Sequence, residues 1–310
     1  MSSSVMENFA VDTDFKIENG ILTWIKGYMG YSTSKSNVII PDGVKIVGRD
    51  ASYKNSGAVN LIISDTVKSI EQCAFFGSFD LQNVIISDSV KEIESEAFSC
   101  CHNLTSVIIP NSVKKMGEAV FSCCDSLRFI QIPNVTDIKD NTFNGCSELQ
   151  NVTIPKSVIR IGKYAFQYCY GLTDIVIPDT VVEIGEYAFA SCKNLTSVVL
   201  SNNINCINDK TFDYCKSLKN ITIPESVTKI GICAFSECKS LESITIPNSV
   251  IEIDNFAFSW CSVMTDITIP DSVTRMGKDV FYNSENVIVH TNNSYVISYC
   301  KENEIKFVIE

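Results

Sequence analysis

The sequence predicts a solenoid built on a parallel β-sheet, and three observations carry that prediction. An apolar pattern recurs with a 23-residue period from residue 38 to residue 286. Proline, phenylalanine and cysteine hold fixed places within that period. One such unit is too short to bury its own apolar face, so it needs a neighbour above and below. Residues 221–243, ITIPESVTKIGICAFSECKSLES, and 244–266, ITIPNSVIEIDNFAFSWCSVMTD, show the repeat plainly, since they align without a gap.

Taken in chain order, residues 1–12 read as a loose tail. In FKIENGILTWI, Asn19-Gly20 sits between alternating apolar residues, a hairpin signal. Phe15, Ile17, Ile21 and Trp24 are expected to cover the first coil, and residues 25–37 to connect to it. The coils begin at Val38, Leu61, Val84, Val107, Ile130, Val152, Ile175, Val198, Ile221, Ile244 and Ile267. The step between origins is constant except from Ile130 to Val152, which is one residue shorter, with the missing residue after Asn134. At strand spacing these eleven coils extend roughly 50 Å.

Within a coil, L-x-x-V-x-I reads as a short strand with alternate residues facing one side. All 8 prolines follow it immediately, where a residue without an N–H suits the exit from a sheet. V-x-x-I is a second short extended piece. Glycine often follows it, but Glu71, Glu94 and Asp254 take the same place, so no positive φ is required there. A-F-x-x-C-x-x-L closes the coil with the spacing of a short helical or 3₁₀ turn. The first coil is degenerate, with Ser52 in place of phenylalanine. At the end, SYVISYCKENEIKFVIE reads as a helix from about Ser294 and a final strand through Phe307 and Ile309. The chain thus divides into 1–37 (tail and hairpin cap), 38–286 (repeats) and 287–310 (C-terminal cap).

The columns L-x-x-I-x-I-P-x-S-V-x-x-I-G-x-x-A-F-x-x-C resemble those of BspA-like leucine-rich repeat proteins. That resemblance implies a leucine-rich repeat superhelix with the parallel sheet on its concave face. Short second strands and helical or 3₁₀ turns would lie on the other side. The family is found in bacterial surface and host-contact proteins and in some gut protozoa, and the role it implies is adhesion and protein binding. Ser64, Ser87 and Ser201 depart from the proline column, and Ser78 and Ser284 from the cysteine column. The resemblance implies no catalytic residue and no cofactor.

Composition agrees with a binding role. A net charge of −11 speaks against tracking nucleic-acid phosphates or anionic membranes. No apolar run is long enough to insert into a membrane, and the start MSSSVMENFAVDTDF has neither a basic n-region nor an apolar h-region. Of 14 cysteines, Cys101, Cys124, Cys146, Cys169, Cys192, Cys215, Cys238 and Cys261 share one column. Buried thiols explain a column best. Disulfides between coils would require stacked side chains to twist, and the spaced pairs and partner ligands of a zinc site are missing. Neither histidine, His102 or His290, belongs to a catalytic motif, and Asp137, Asp140 and Asp174 read as solvated charge. The N-x-T sequons at Asn103, Asn151, Asn194 and Asn220 follow from the repeat itself. The sequence therefore reads as a non-enzymatic module that binds no metal.

Function then falls to outward residues. Ile62, Ile85, Ile108 and Phe129 adjoin on the outer face of the early strands, with Gln131 beside them. They are the expected contacts for a protein partner of host or extracellular-matrix type, with a glycan as the other surface ligand. Weak self-association is the alternative, as a structural scaffold. A second set, Tyr168, Tyr214 and Trp260, lies two residues after the repeat phenylalanine, where irregular packing at the coil edge competes with an interface role.

Overall fold

In a computed structural model, residues 15–25, 36–52 and 57–309 are described. The tail 1–12 and most of the connection 25–37 lie outside them. The chain falls into two compact units, the second comprising Thr136–Asp140 and the residues from Thr153 onward. The division coincides with the shortened step.

Both units are ladders of parallel strands. In the first, Ser36–Ile39, Ala58–Ile62, Asn83–Ile85, Ser106–Ile108 and Phe129–Gln131 lie side by side in sequence order. Each origin residue meets the next, as Leu61 meets Val84 and Val84 meets Val107. The second unit repeats this, with Ile175 against Val198 and Ile244 against Ile267. Two-residue strands from V-x-x-I form a second ladder, for example Lys229–Ile230 beside Glu252–Ile253. Like residues therefore stack on like. The phenylalanine column forms ring stacks with centroids 5.2 Å apart for Phe75–Phe98 and 5.3 Å for Phe166–Phe189, the rings nearly parallel in both cases. Stacking of this kind adds about 0.5–1.5 kcal/mol per pair beyond burial.

The closing segment is a run of i→i+3 hydrogen-bonded turns, such as Ala74 N–H to the Glu71 carbonyl and Ser78 N–H to Phe75. Two positions per coil adopt the left-handed conformation and keep these turns from joining into a helix, as at Cys73 (φ 56°) and Tyr168 (φ 62°). The turns also bond from coil to coil, Phe75 N–H donating to Ala97 and Phe166 N–H to Ala188.

The cysteine column has a bonding role that hydrophobicity alone would not give it. The buried Cys101 thiol donates to the Phe75 carbonyl at 3.2 Å, Cys215 to Phe189 at 3.2 Å and Cys238 to Phe212 at 3.3 Å. Ser78 and Ser284 make the same bond with a hydroxyl, to the Ser52 and Phe258 carbonyls. The two departures thus preserve the donor. All fourteen cysteines are free thiols, and burial pushes those of Cys101, Cys192 and Cys261 up to about 12. The serine of P-x-S-V forms another set of rungs, Ser249 donating to the Val227 carbonyl and Ser272 to Val250.

The glycine column follows the same inter-coil logic. Gly117, Gly162, Gly185, Gly231 and Gly277 all lack a positive φ, as the sequence implied. They are small because the previous coil occupies the space of a Cβ. A Cβ on Gly231 would lie 2.5 Å from Asp209 Oδ1, and one on Gly277 2.6 Å from Asn255 Oδ1. Those oxygens accept the N–H of the next residue, Ile232 and Lys278 respectively. Asp140 does the same for Lys163. Where glutamate replaces glycine, it reaches back instead, Glu71 accepting from Arg49 N–H and Glu94 from Gln72 N–H.

The shortened step is equally local. Elsewhere the valine of P-x-S-V closes an i→i+3 turn onto proline, as Val113 does onto Pro110; Val135 closes an i→i+2 turn onto Pro133 at 2.7 Å. One residue is lost from the turn and Val135 stays buried.

The N-terminal hairpin forms at Asn19-Gly20, both with positive φ. Its covering residues differ from the expected set. Leu22 and Ile25 are buried, while Ile17 and Trp24 are exposed. The reason is pairing: the strand Ile21–Ile25 joins the second ladder with Leu22 opposite Val47, which fixes Leu22 inward, and a register shift at Lys16/Ile17 alters the alternation. Toward the C-terminus, helix Ser294–Glu302 starts at Asn293, whose side chain accepts two N–H bonds. Its Tyr295 and Tyr299 hydroxyls accept the N–H groups of Met276 and Val280. Strand Lys306–Val308 then pairs with Ile288–His290.

Candidate functional site

The outer residues of the long-strand ladder are the positions that the core leaves undetermined. In the first unit, Ile39, Ile62, Ile85 and Ile108 stand directly beside one another, strand to strand. Phe129 is opposite Ser106, one diagonal step from Ile108, and Gln131 lies exposed on the same strand. Ile62 and Ile85 are half-buried, whereas Ile108 and Phe129 are each 54% exposed. The predicted row is therefore contiguous, with its free apolar surface at the Ile108–Phe129 end.

Beside it runs a polar ladder that the sequence reading passed over. Asn60 Nδ2 donates to Asn37 Oδ1 at 2.6 Å, and Asn83 Nδ2 to Asn60 Oδ1 at 2.7 Å. These amides are used up in one another and rigidify the strand surface next to the isoleucines. Their spacing of one full repeat was the available signal. Also unforeseen are Val176 and Val199 in the second unit, paired in register and 60% and 56% exposed.

Tyr168, Tyr214 and Trp260 lie in the second unit, on the turns and not on the strands, so they form a surface of their own. All three are exposed.

The second ladder offers a contrast. The outward column of these short strands alternates in sign within each unit, Glu92 then Lys115 in the first, and Asp137, Arg160 and Glu183, then Lys229, Glu252 and Arg275 in the second. Arg160 meets Asp137 at 2.8 Å, and Glu252 meets Lys229 at 2.9 Å and Arg275 at 3.0 Å. A groove of about 540 Å³ lined by Asp137, Arg160, Lys163, Glu183 and Glu186 lies here. Asp137 is not the simply solvated charge expected of it. Partial burial raises its pKa, but hydrogen bonds from Thr136 and Arg160 outweigh this and leave it below the usual carboxylate value. Most of these charges are paired with one another.

Each histidine faces a carboxylate of a neighbouring coil, His102 with Asp125 at 2.8 Å and His290 with Asp266 at 3.1 Å. Among the described residues no group of three or more histidine, cysteine or acidic side chains is arranged to hold a metal ion, and no helix is long and apolar enough to cross a membrane.

The repeat columns and the stacked ladders find their counterpart in one family. The profile of the BspA type leucine rich repeat region (6 copies) matches residues 23–149, 121–238 and 205–307. The chain belongs to the BspA-type leucine-rich repeat family. Among solved structures, this BspA-type chain is similar to a leucine-rich repeat protein from Bacteroides ovatus, at 24% identity and a TM-score of 0.52, over 98% of this chain and 100% of that one. It is also similar to the pneumococcal vaccine antigen PcpA, at 17% identity and a TM-score of 0.60, over 97% and 98% of the two chains. Both likenesses bear on the fold. A search of curated proteins finds no match. The BspA-type fold is broadly suited to protein-interaction and adhesion scaffolds, because stacked strands present one continuous surface whose residues vary independently of the core.

Proposed function

We propose that this chain is a non-enzymatic interaction module that presents the outer face of its long strands to a protein partner, with Ile108 and Phe129 as the anchors. The observation that carries this reading is their joint exposure on adjacent strands of a rigid ladder. A large apolar pair held on regular strands loses little conformational entropy when it is covered. The surrounding outward positions, Ser106, Gln131 and Asn151, supply a polar rim. Such an arrangement fits a macromolecular surface better than a small molecule, which would need a concave apolar pocket.

The test is affinity capture from extracellular matrix and from bacterial lysate, side by side, with the wild-type chain and with Ile108→Ser/Phe129→Ser. Covering the exposed half of both side chains is worth about 2 kcal/mol, so a specific partner should bind the double variant roughly 30-fold more weakly. Val176→Ser/Val199→Ser serves as the control and should bind as the wild type does. Equal capture by all three proteins would remove the assignment. Light scattering over a concentration series separates a monomeric binder from a chain that uses the same face to meet its own copy.

A further inference from the structure

The turns of the second unit carry a feature that the strand face does not explain. Tyr168, Tyr214 and Trp260 share one column and follow one another at intervals of two repeats, so a ring projects from every second coil. They are 41%, 42% and 44% exposed. The coils between them carry Ser191 and Glu237, both half-buried, and the Glu237 carboxylate is drawn onto Lys239 at 3.0 Å. At strand spacing, two coils separate like atoms by about 9.5 Å.

Backbone conformation does not ask for these residues. All three hold φ near +60°, at 62°, 61° and 59°. That region favours glycine and asparagine, and a bulky aromatic there is an outlier. The same column holds Gly77, Gly145 and Asn283, which suit the conformation, and Cys100, Cys123, Ser191 and Glu237, which do not; the other left-handed position of the coil also takes aromatics, at Tyr164, Tyr187 and Phe256. Nor do the core rows require the rings, since the neighbouring phenylalanines fill the interior. Tyr168 packs at an angle against Tyr170 and Trp260 against Tyr282, with ring centroids 6.2 Å and 6.0 Å apart, yet each keeps more than two fifths of its surface exposed.

The adjoining column gives the charge of the ligand. Lys193, Lys216 and Lys239 follow one another at single-repeat steps, two positions beyond Ser191, Tyr214 and Glu237, in a chain of net charge −11, and Lys239 is paired with Glu237. Lys193 Nζ lies 4.4 Å over the Tyr170 ring, and Lys216 Nζ 5.5 Å over that of Tyr214. A row of amphipathic rings edged by ammonium groups suits a polymer with flat apolar faces and carboxylates at a fixed repeat. In an extended β-1,4-linked polysaccharide successive sugars are turned over, so the same C–H face returns once per disaccharide. That period matches the two-coil period of the rings. We infer that the Tyr168–Tyr214–Trp260 row, with its lysine edge, is a binding strip for an extended β-1,4-linked polysaccharide bearing carboxylates. The inference concerns a different surface from the isoleucine row and does not depend on it.

Affinity electrophoresis in gels containing carboxymethylcellulose, or neutral hydroxyethylcellulose as its uncharged counterpart, tests this. The wild-type chain should be retarded by the carboxylated polymer and less so by the neutral one. Tyr214→Ala/Trp260→Ala should weaken retardation at least tenfold with unchanged circular dichroism. Lys193→Gln/Lys216→Gln should remove the preference for the carboxylated polymer. Adding Ser191→Tyr to Tyr214→Ala restores the number of rings at the wrong spacing and should not restore binding. Absence of retardation in both gels overturns the inference. So does retardation that survives loss of the two rings, which would mean attraction by charge alone, or rescue by the misplaced tyrosine.

Discussion

Placing a methyl group on Gly231 sets the two halves of the coil-to-coil contact against each other. The alanine Cβ would lie 2.5 Å from Asp209 Oδ1, 2.8 Å from the Asp209 nitrogen and 2.9 Å from the Asn208 carbonyl carbon. The carboxylate must move, and in doing so it abandons the Ile232 N–H that it holds at 2.8 Å. Overpacking costs about 1–3 kcal/mol. Leaving a half-buried N–H without its acceptor costs about 1–3 kcal/mol more. Reduced freedom of the unfolded chain returns about 0.4–1 kcal/mol, because φ at Gly231 is one that alanine accepts. Gly231→Ala should therefore destabilise by about 2–4 kcal/mol. Asp209→Ala alone loses only the acceptor, at about 1–2 kcal/mol. In the double variant the carboxylate clash is gone but the backbone clash remains. The two effects should then fall short of additive by about 1–2 kcal/mol. Urea unfolding of the four proteins, followed by circular dichroism, completes the cycle. A Gly231→Ala protein within about 0.5 kcal/mol of wild type, or strictly additive effects, would refute the argument.

Two further perturbations address the interior and the charges. Cys215→Ala should destabilise by about 1–2 kcal/mol through lost volume and a lost donor. Cys215→Ser should cost less, because serine already makes this bond at Ser78 and Ser284; a serine variant less stable than the alanine one in urea would contradict the donor role. The Asp213 carboxyl is raised to about 6, first by burial and against the pull of its Ser236 hydrogen bond and Lys210. The folded chain thus holds this proton to higher pH than the unfolded one, a contribution present in full below the ordinary aspartate pKa and lost as pH rises to about 6. Asp213→Asn should leave stability near pH 4 almost unchanged and raise it by about 1–2 kcal/mol above pH 7, after allowance for partial solvent screening. Urea midpoints from pH 4 to pH 8 check this, and a pH-independent difference would contradict it.

Much of this fold was legible because a solenoid writes its interior columns again in coil after coil. The strand origins, the proline exits and the phenylalanine row needed only the period. What stayed hidden were contacts whose two halves sit in different columns. The glycine column made no sense residue by residue. Yet Ser95–Gly117, Asp140–Gly162, Asp209–Gly231 and Asn255–Gly277 are each separated by one position less than a full repeat, and that offset was there to be read. The hairpin misled for the opposite reason: simple alternation pointed to Ile17 and Trp24, while pairing with the second ladder turned Leu22 and Ile25 inward. At the candidate site the isoleucine row was visible in one column. The relative exposure along it depends on neighbours outside that column and was not. Likewise the left-handed positions carry tyrosine, tryptophan and cysteine and so lack the glycine or asparagine signature by which such sites are usually found.

The claim beneath all of this is that coils sit flush, so that a whole repeat is interchangeable with its neighbour and a fraction of one is not. Removing Ile221–Ser243, one whole repeat, joins Asn220 to Ile244 and keeps every column in phase. Removing only 221–242 leaves Ser243 as an extra residue in the strand and turns its faces over. Circular dichroism and urea unfolding should show a cooperative fold with a proportionally smaller m-value for the first protein, and a clearly lower midpoint or a lost transition for the second. Equal behaviour of the two deletions would contradict the account.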